Sequence, residues 1–246
     1  MDFTFISKTA LFRGCQEKDI KQMAKHLEFK KVCYEIKDVI FSNGDTVTDI
    51  GLVLSGSVQV EHNDFFGNKS ILAIVEKGGV FAEAYACIQS EPLMIDVTAN
   101  DDCEILFISV SRLFMPCSQC DSRNRLIQNL VLIGAQKNLQ FSKRSIHTTP
   151  KTIRGRLMSY FSEQISAQNS NKITIPFDRQ QLADYLNTDR SALSKELIKM
   201  KKDGLIEYRK NVFEITTKVA VEMFATGAGA AISLLCTGSA LRKWKK

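Results

Sequence analysis

Arg190, Ser191, Ser194, Lys195 and Lys199 fall close together late in the 246-residue chain. Arg and Lys match O6 and N7 of guanine in the DNA major groove, and Ser accepts or donates to any base edge. The stretch Asp189 to Lys202 carries them in a helical pattern. Leu193, Leu197 and Met200 recur at i, i+4 and i+7 and form its inward stripe. Such a helix, with Arg, Ser and Lys in its first turns, can lay base-reading groups into the groove. Thr188 is its expected N-cap, followed by Asp189, and Gly204 supplies the left-handed residue that ends it. Lys201 and Lys202, farther from the N-terminus, read as solvated charges.

Other groups that could do chemistry form no complete set. Cys117 and Cys120 make one Cys-x-x-Cys pair, whereas a structural zinc site needs four ligands. Two copies of the chain would supply four cysteines, or the pair could switch redox state. His26, His62 and His147 sit in no recognisable motif, which speaks against haem. Only His62 lies in the strand-rich region, so a His/carboxylate metal triad of the oxygenase kind is not available there. No phosphate loop, nucleophile elbow or zinc-protease motif occurs, and the chain does not read as an enzyme. Seven irregularly spaced cysteines fit reduced thiols in a cytoplasmic protein.

A reading helix needs a scaffold, and its neighbours supply one. Arg179 to Leu186 reads as a short preceding helix. Asp178 can cap it, Gln181 can reach back, and Phe177 and Leu182 can staple its entry. Asn187 ends it. After the reading helix, Leu205–Tyr208 and Val212–Ile215 alternate as a hairpin whose tip, Arg209-Lys210-Asn211, is a basic wing for phosphate. Upstream, Thr152 to Gln168 is amphipathic, with Ile153, Leu157, Met158, Phe161 and Ile165 inward, and Ile173–Pro176 is a short strand. Thr149 followed by Pro150 reads as the start of this unit, with a hinge between Lys143 and Thr149.

The first half is different in kind. From about Leu27 to Val110, short runs rich in β-branched and aromatic residues alternate with turn signals such as Asn43-Gly44 and Gly78-Gly79. Many short strands indicate a β-sandwich or jelly roll. Ser122 to Arg144 then reads as one helix of about 23 residues, or roughly 35 Å. Ile127, Leu130, Gly134, Lys137 and Phe141 share a seam that could meet a second copy of the helix. Residues 1–121 carry 11 Lys/Arg against 18 Asp/Glu, whereas residues 122–146 carry 5 against none and residues 147–215 carry 12 against 8. A basic back half suits nucleic acid. Val219 to Leu241 holds one charge, Glu222, among Gly and Ala, before Arg242-Lys243-Trp244-Lys245-Lys246. This stretch reads as an atypical extension rather than a membrane anchor.

These residues resemble the Crp/Fnr superfamily of bacterial transcription regulators over about residues 5–215. The resemblance is most specific at Phe177–Leu186, Asp189–Ser194 and Lys199–Ile206. It implies an α+β fold: a cyclic-nucleotide-binding-type jelly roll at 1–121, a dimerisation helix and hinge at 122–148, and a winged helix-turn-helix at 149–215. Residues 216–246 lie outside the pattern. It further implies a homodimer on an inverted-repeat site in double-stranded DNA, with RNA polymerase as partner if the protein activates. The DNA contacts would come from Arg179, Gln180, Thr188, Asp189, Arg190, Ser191, Ser194, Lys195, Lys199, Arg209 and Lys210. An effector pocket would involve Ala82, Glu83, Tyr85, Leu93, Met94, Lys137 and Asn138. Cyclic-AMP binders of the family carry an Arg-Ser or Arg-Thr pair that grips the phosphate, and Leu93-Met94 stands in its place. A cyclic phosphate in an apolar cavity needs a cation. The expected effector is therefore another small molecule, such as an apolar or aromatic acid. A cysteine-based redox or metal switch and an effector-independent DNA-binding protein are the alternatives.

Overall fold

The computed structural model describes residues 1–63, 69–115 and 121–216. Cys117, Cys120 and the extension beyond Thr216 lie outside the described residues. The chain divides into two compact units, Met1–Lys137 and Asn138 onward.

The first unit opens with two helices that the sequence reading missed, α1 (Phe3–Lys8) and α2 (Glu17–His26). Eight strands follow: β1 (Lys30–Tyr34), β2 (Val39–Phe41), β3 (Asp49–Ser55), β4 (Ser57–Asn63), β5 (Lys69–Glu76), β6 (Val80–Phe81), β7 (Asp96–Ala99) and β8 (Cys103–Ser109). They form two antiparallel four-stranded sheets, β1-β8-β3-β6 and β2-β7-β4-β5. This is the expected roll. β7 alternates because one of its faces lies in the core: it buries Val97 and Ala99 and turns Asp96 and Thr98 outward, whereas β3 is buried continuously from Ile50 to Leu54. Gly51 on β3 pairs with Phe81 on β6, and a Cβ at Gly51 would overlap the Phe81 ring. That ring packs with Phe41 and Phe107 to fill the space between the sheets. Between β6 and β7 lies α3 (Glu83–Ile88), entered through Ala82 in the left-handed conformation. The short α4 (Val110–Leu113) follows β8.

The long helix α5 runs Asp121–Thr148, one residue earlier and four later than expected. Thr148 and Thr149 do not begin the next unit. Their hydroxyls donate back to the carbonyls of Arg144 and Ser145 and extend α5. The predicted seam is also corrected. Leu126, Leu130 and Ile133 are buried in the core of the roll, and Ile127 packs against it. The outward apolar positions on α5 are Val131, Leu132, Leu139 and Ile146, together with Phe141 of the predicted seam. Asn129 fixes this rotation by donating to the carbonyls of Leu11 and Arg13.

In the second unit, α6 (Ile153–Gln168) is capped by Thr152, whose hydroxyl accepts from the Gly155 N–H, and not by Thr149. Then come β9 (Lys172–Thr174), α7 (Arg179–Tyr185), α8 (Arg190–Lys202), β10 (Ile206–Arg209) and β11 (Val212–Ile215). The three strands form one sheet in the order β10-β11-β9. Leu157, Phe161 and Ile165 of α6 join Leu182, Leu193, Leu197, Met200 and Phe213 in one apolar core. Among the described residues, no helix is long and apolar enough to cross a membrane.

Candidate nucleic-acid interface

The helix pair α7–α8 is set by local chemistry that the sequence displays. The Asp178 carboxylate accepts from the Gln181 N–H at 2.8 Å, and the Gln181 side chain accepts from the Asp178 N–H at 2.9 Å. This capping box starts α7 as expected. Asn187 has φ of 50° and turns the chain between the helices. The cap of α8 is Asp189 rather than Thr188. One Asp189 carboxylate oxygen accepts from the N–H groups of Ser191 and Ala192 at 2.8 and 2.9 Å. Bonds from the Ser191 hydroxyl and the Ala192 N–H hold its pKa below the ordinary aspartate value. Gly204, with φ of 72°, closes α8 after Asp203.

Several arginines that contribute to the basic charge are spent on holding this pair in place. Arg156 donates to the carbonyls of Leu186 and Asn187, and Arg144 to those of Asp184 and Tyr185. Both thus satisfy the C-terminal end of α7, where unpaired carbonyls gather. Arg154 bridges Glu196 and Asp203. His147, at the end of α5, is buried. Its Nδ1 lies 2.9 Å from the Tyr185 hydroxyl and its Nε2 3.0 Å from the Glu163 carboxylate. Burial pushes its pKa down and Glu163 partly opposes this, while Lys143 adds to the fall.

The predicted DNA contacts separate into two groups. Arg190, Lys195, Lys199, Arg209 and Lys210 are exposed, and none makes a side-chain hydrogen bond or ion pair among the described residues. Thr188 is half-buried and is relieved of its capping role. Arg179 is already committed. Its guanidinium lies 5.0 and 4.9 Å from the ring centres of Tyr208 and Phe213 and donates to the Lys210 carbonyl at the wing tip. Burial lowers its pKa. Gln180 donates to Asp184 within α7. Sequence reading passed over Ile198, which is 62% exposed on α8.

In the roll, the predicted pocket residues divide in the same way. Leu93 is fully buried in the apolar core, and Ala82 and Tyr85 pack against that core. Met94 is 67% exposed and stands outside it. Asn138 is exposed. Glu83 is buried, and both its carboxylate oxygens meet the Lys137 ammonium of α5, at 2.8 and 2.9 Å. The same ammonium donates to the Val80 carbonyl at 2.7 Å. Among the described residues, no three His, Cys, Asp or Glu side chains are grouped to hold a metal ion.

Residues 31–118 match the cyclic nucleotide-binding domain and residues 155–219 the Crp-like helix-turn-helix domain. Together the two matches span more than half of the chain. The chain belongs to the Crp/Fnr superfamily. It is thus a DNA-binding transcription regulator with a cyclic-nucleotide-binding-like domain, and not an enzyme. Solved structures with the same fold include the c-di-GMP responsive global regulator CLP of Xanthomonas campestris, at 18% identity and TM-score 0.54, covering 81% of this chain and 99% of that one. A cysteine-to-serine variant of CprK in complex with OCPA aligns at 13% identity and TM-score 0.58, covering 79% and 87%. A mutant of CooA from Carboxydothermus hydrogenoformans aligns at 19% and 0.50, covering 80% and 88%. Among curated proteins, 83 residues are 31% identical to cyclic nucleotide-gated channel beta-1 of Bos taurus. That match spans 34% of this chain and only 6% of the channel. The Crp/Fnr chain shares with it a stretch the length of one domain.

Proposed function

We propose that this Crp/Fnr regulator reads an inverted repeat as a homodimer, under control of a small effector that is not cyclic AMP. The observation that carries the proposal is α8: a capped helix with Arg190 exposed in its first turn and Lys195 exposed on its outer face, neither in a side-chain hydrogen bond or ion pair among the described residues. Arg190 and Lys195 would contact base edges, and Lys199, Arg209 and Lys210 the phosphates. The asymmetry is physical, because the helix N-terminus reaches deepest into the groove while the wing tip follows the backbone. The dimer would form along α5 through Val131, Leu132, Leu139 and Ile146, which supplies an apolar strip for a second copy. In this reading the sensor is residues 1–121, the dimer helix and hinge 122–148, and the DNA head 149–215. The site of action is the cytoplasm, and an activator would also touch RNA polymerase.

For the effector, Lys137 is the cation among the predicted pocket residues, and its ammonium is already engaged by the Glu83 carboxylate and the Val80 carbonyl. An apolar acid would have to compete with Glu83 for that charge. The same pairing favours a second reading, in which the internal ion pair replaces an effector altogether. A thermal-shift panel of apolar and aromatic acids separates the two, since only a sensor is stabilised by its ligand. Selection of bound duplexes from a random pool with the full-length protein tests the DNA reading. An enriched inverted repeat supports it, and no enrichment sinks it.

A further inference from the structure

The outer face of α8 has fewer base readers than its composition suggests. The Ser191 hydroxyl donates to the Asp189 carboxylate at 2.6 Å, and the Ser194 hydroxyl to the Arg190 carbonyl at 2.9 Å. Each serine has one hydroxyl hydrogen, so neither donates to a base while these bonds stand. At 3.6 residues per turn, Ser191, Lys195, Ile198 and Lys202 lie opposite the buried Leu193, Leu197 and Met200. This is the side of α8 farthest from its own core. Ile198 is the one large apolar side chain there among the described residues, and it is 62% exposed. Lys195 precedes it by three residues, about 4.5 Å along the helix. Successive bases on one strand are about 3.4 Å apart.

We propose that Ile198 is a specificity-determining residue whose side chain takes the C5-methyl of a thymine, one or two base pairs from the base that Lys195 contacts. The major groove offers a single apolar group, the thymine methyl, and it marks T·A against every other pair. A side chain without donors or acceptors gains there by leaving water, and over a cytosine edge it strands the amino group. The face thus pairs a cation for guanine with an apolar group for thymine, and the half-site should contain both bases within two steps. The inference rests on α8 entering the groove, as proposed above.

The test uses the full-length protein and the duplex that selection enriches. Each thymine of one half-site is replaced in turn by deoxyuridine, which removes only the methyl. For the wild type, binding weakens about 4-fold at one position, the ratio that burial of one methyl group supplies. Ile198→Ala, at an exposed site, binds the unmodified duplex more weakly and shows no further loss with deoxyuridine at that position. Ile198→Val and Lys195→Ala both keep the sensitivity. Wild-type binding that ignores every replacement, or equal sensitivity in Ile198→Ala, overturns the assignment. If Ile198→Ala binds every duplex like the wild type, the side chain faces a protein partner, and the assignment is wrong. If no duplex is enriched, the groove-reading proposal falls first and this one with it. If a duplex is enriched and Lys195→Ala relaxes its preference, the groove reading survives whatever the outcome for Ile198.

Discussion

Replacing Lys137 by Met strips from a buried carboxylate its one ion-pair partner among the described residues. Glu83 is 9% exposed, and its two oxygens lie 2.8 and 2.9 Å from the Lys137 ammonium. Removing one partner of a fully buried pair costs about 3–5 kcal/mol, because the remaining charge has lost its solvent and its counter-charge. The Lys137 side chain keeps 35% exposure, so water reaches this pair and brings the cost just below that range. An expected loss of about 2–3 kcal/mol lowers the melting temperature of a domain this size by roughly 5–10 °C. Glu83→Gln alone should cost less, because the amide keeps an acceptor for Lys137 and leaves no carboxylate behind. The informative protein is the double variant, Glu83→Gln with Lys137→Met. With neither charge present it should recover most of the Lys137→Met loss, giving a coupling of about 1–2 kcal/mol in the four-protein cycle. Thermal unfolding of the full-length variants, followed by circular dichroism, reads all four. Additive losses, or a Lys137→Met protein that melts like the wild type, would refute the reasoning. The pair would then be a solvent-screened contact with no hold on α5.

Two further expectations concern the DNA head. His147 is held neutral by burial, so its pKa in the folded chain lies below the ordinary 6.5. Above that pH both states are neutral and the group has no effect. As pH falls through 6.5 the unfolded chain takes the proton first, and stability declines until the folded pKa is reached. The second unit should therefore melt lower at pH 5.5 than at pH 7.5, and His147→Phe should flatten that dependence; an unchanged slope in the variant would assign it to other groups. Arg179→Ala should weaken binding on all duplexes alike, because the guanidinium braces the wing through Tyr208, Phe213 and the Lys210 carbonyl. Its salt dependence should match the wild type, whereas losing a direct phosphate contact would reduce the slope by about 0.9. Arg179→Lys should not restore binding, since a lysine lacks the planar group that stacks.

What the sequence disclosed, and what it hid, follows from how far away the deciding partner lies. The capping box at Asp178 and Gln181 spans three residues and was readable, as was the end of α8 at Gly204. At Thr188 and Asp189 two adjacent residues could each cap. The choice fell to Asp189 because its carboxylate reaches two N–H groups at once. On α5 the limit is sharper. Leu126, Leu130 and Ile133 form one apolar stripe, and Val131, Leu132 and Leu139 form another. Periodicity alone ranks neither as the inner one. The decision is made by Asn129, which reaches carbonyls more than a hundred residues away in the segment after α1. Arg179 shows the same limit on charge. The sequence reports a cation at the start of a helix, but not the two rings and the carbonyl that already hold it. A basic residue near a reading helix is thus a phosphate ligand only if the fold leaves it unspent. By that criterion Arg190, Lys195 and Lys199 qualify and Arg144, Arg154, Arg156 and Arg179 do not, which concentrates the proposed contact on α8 and the wing tip.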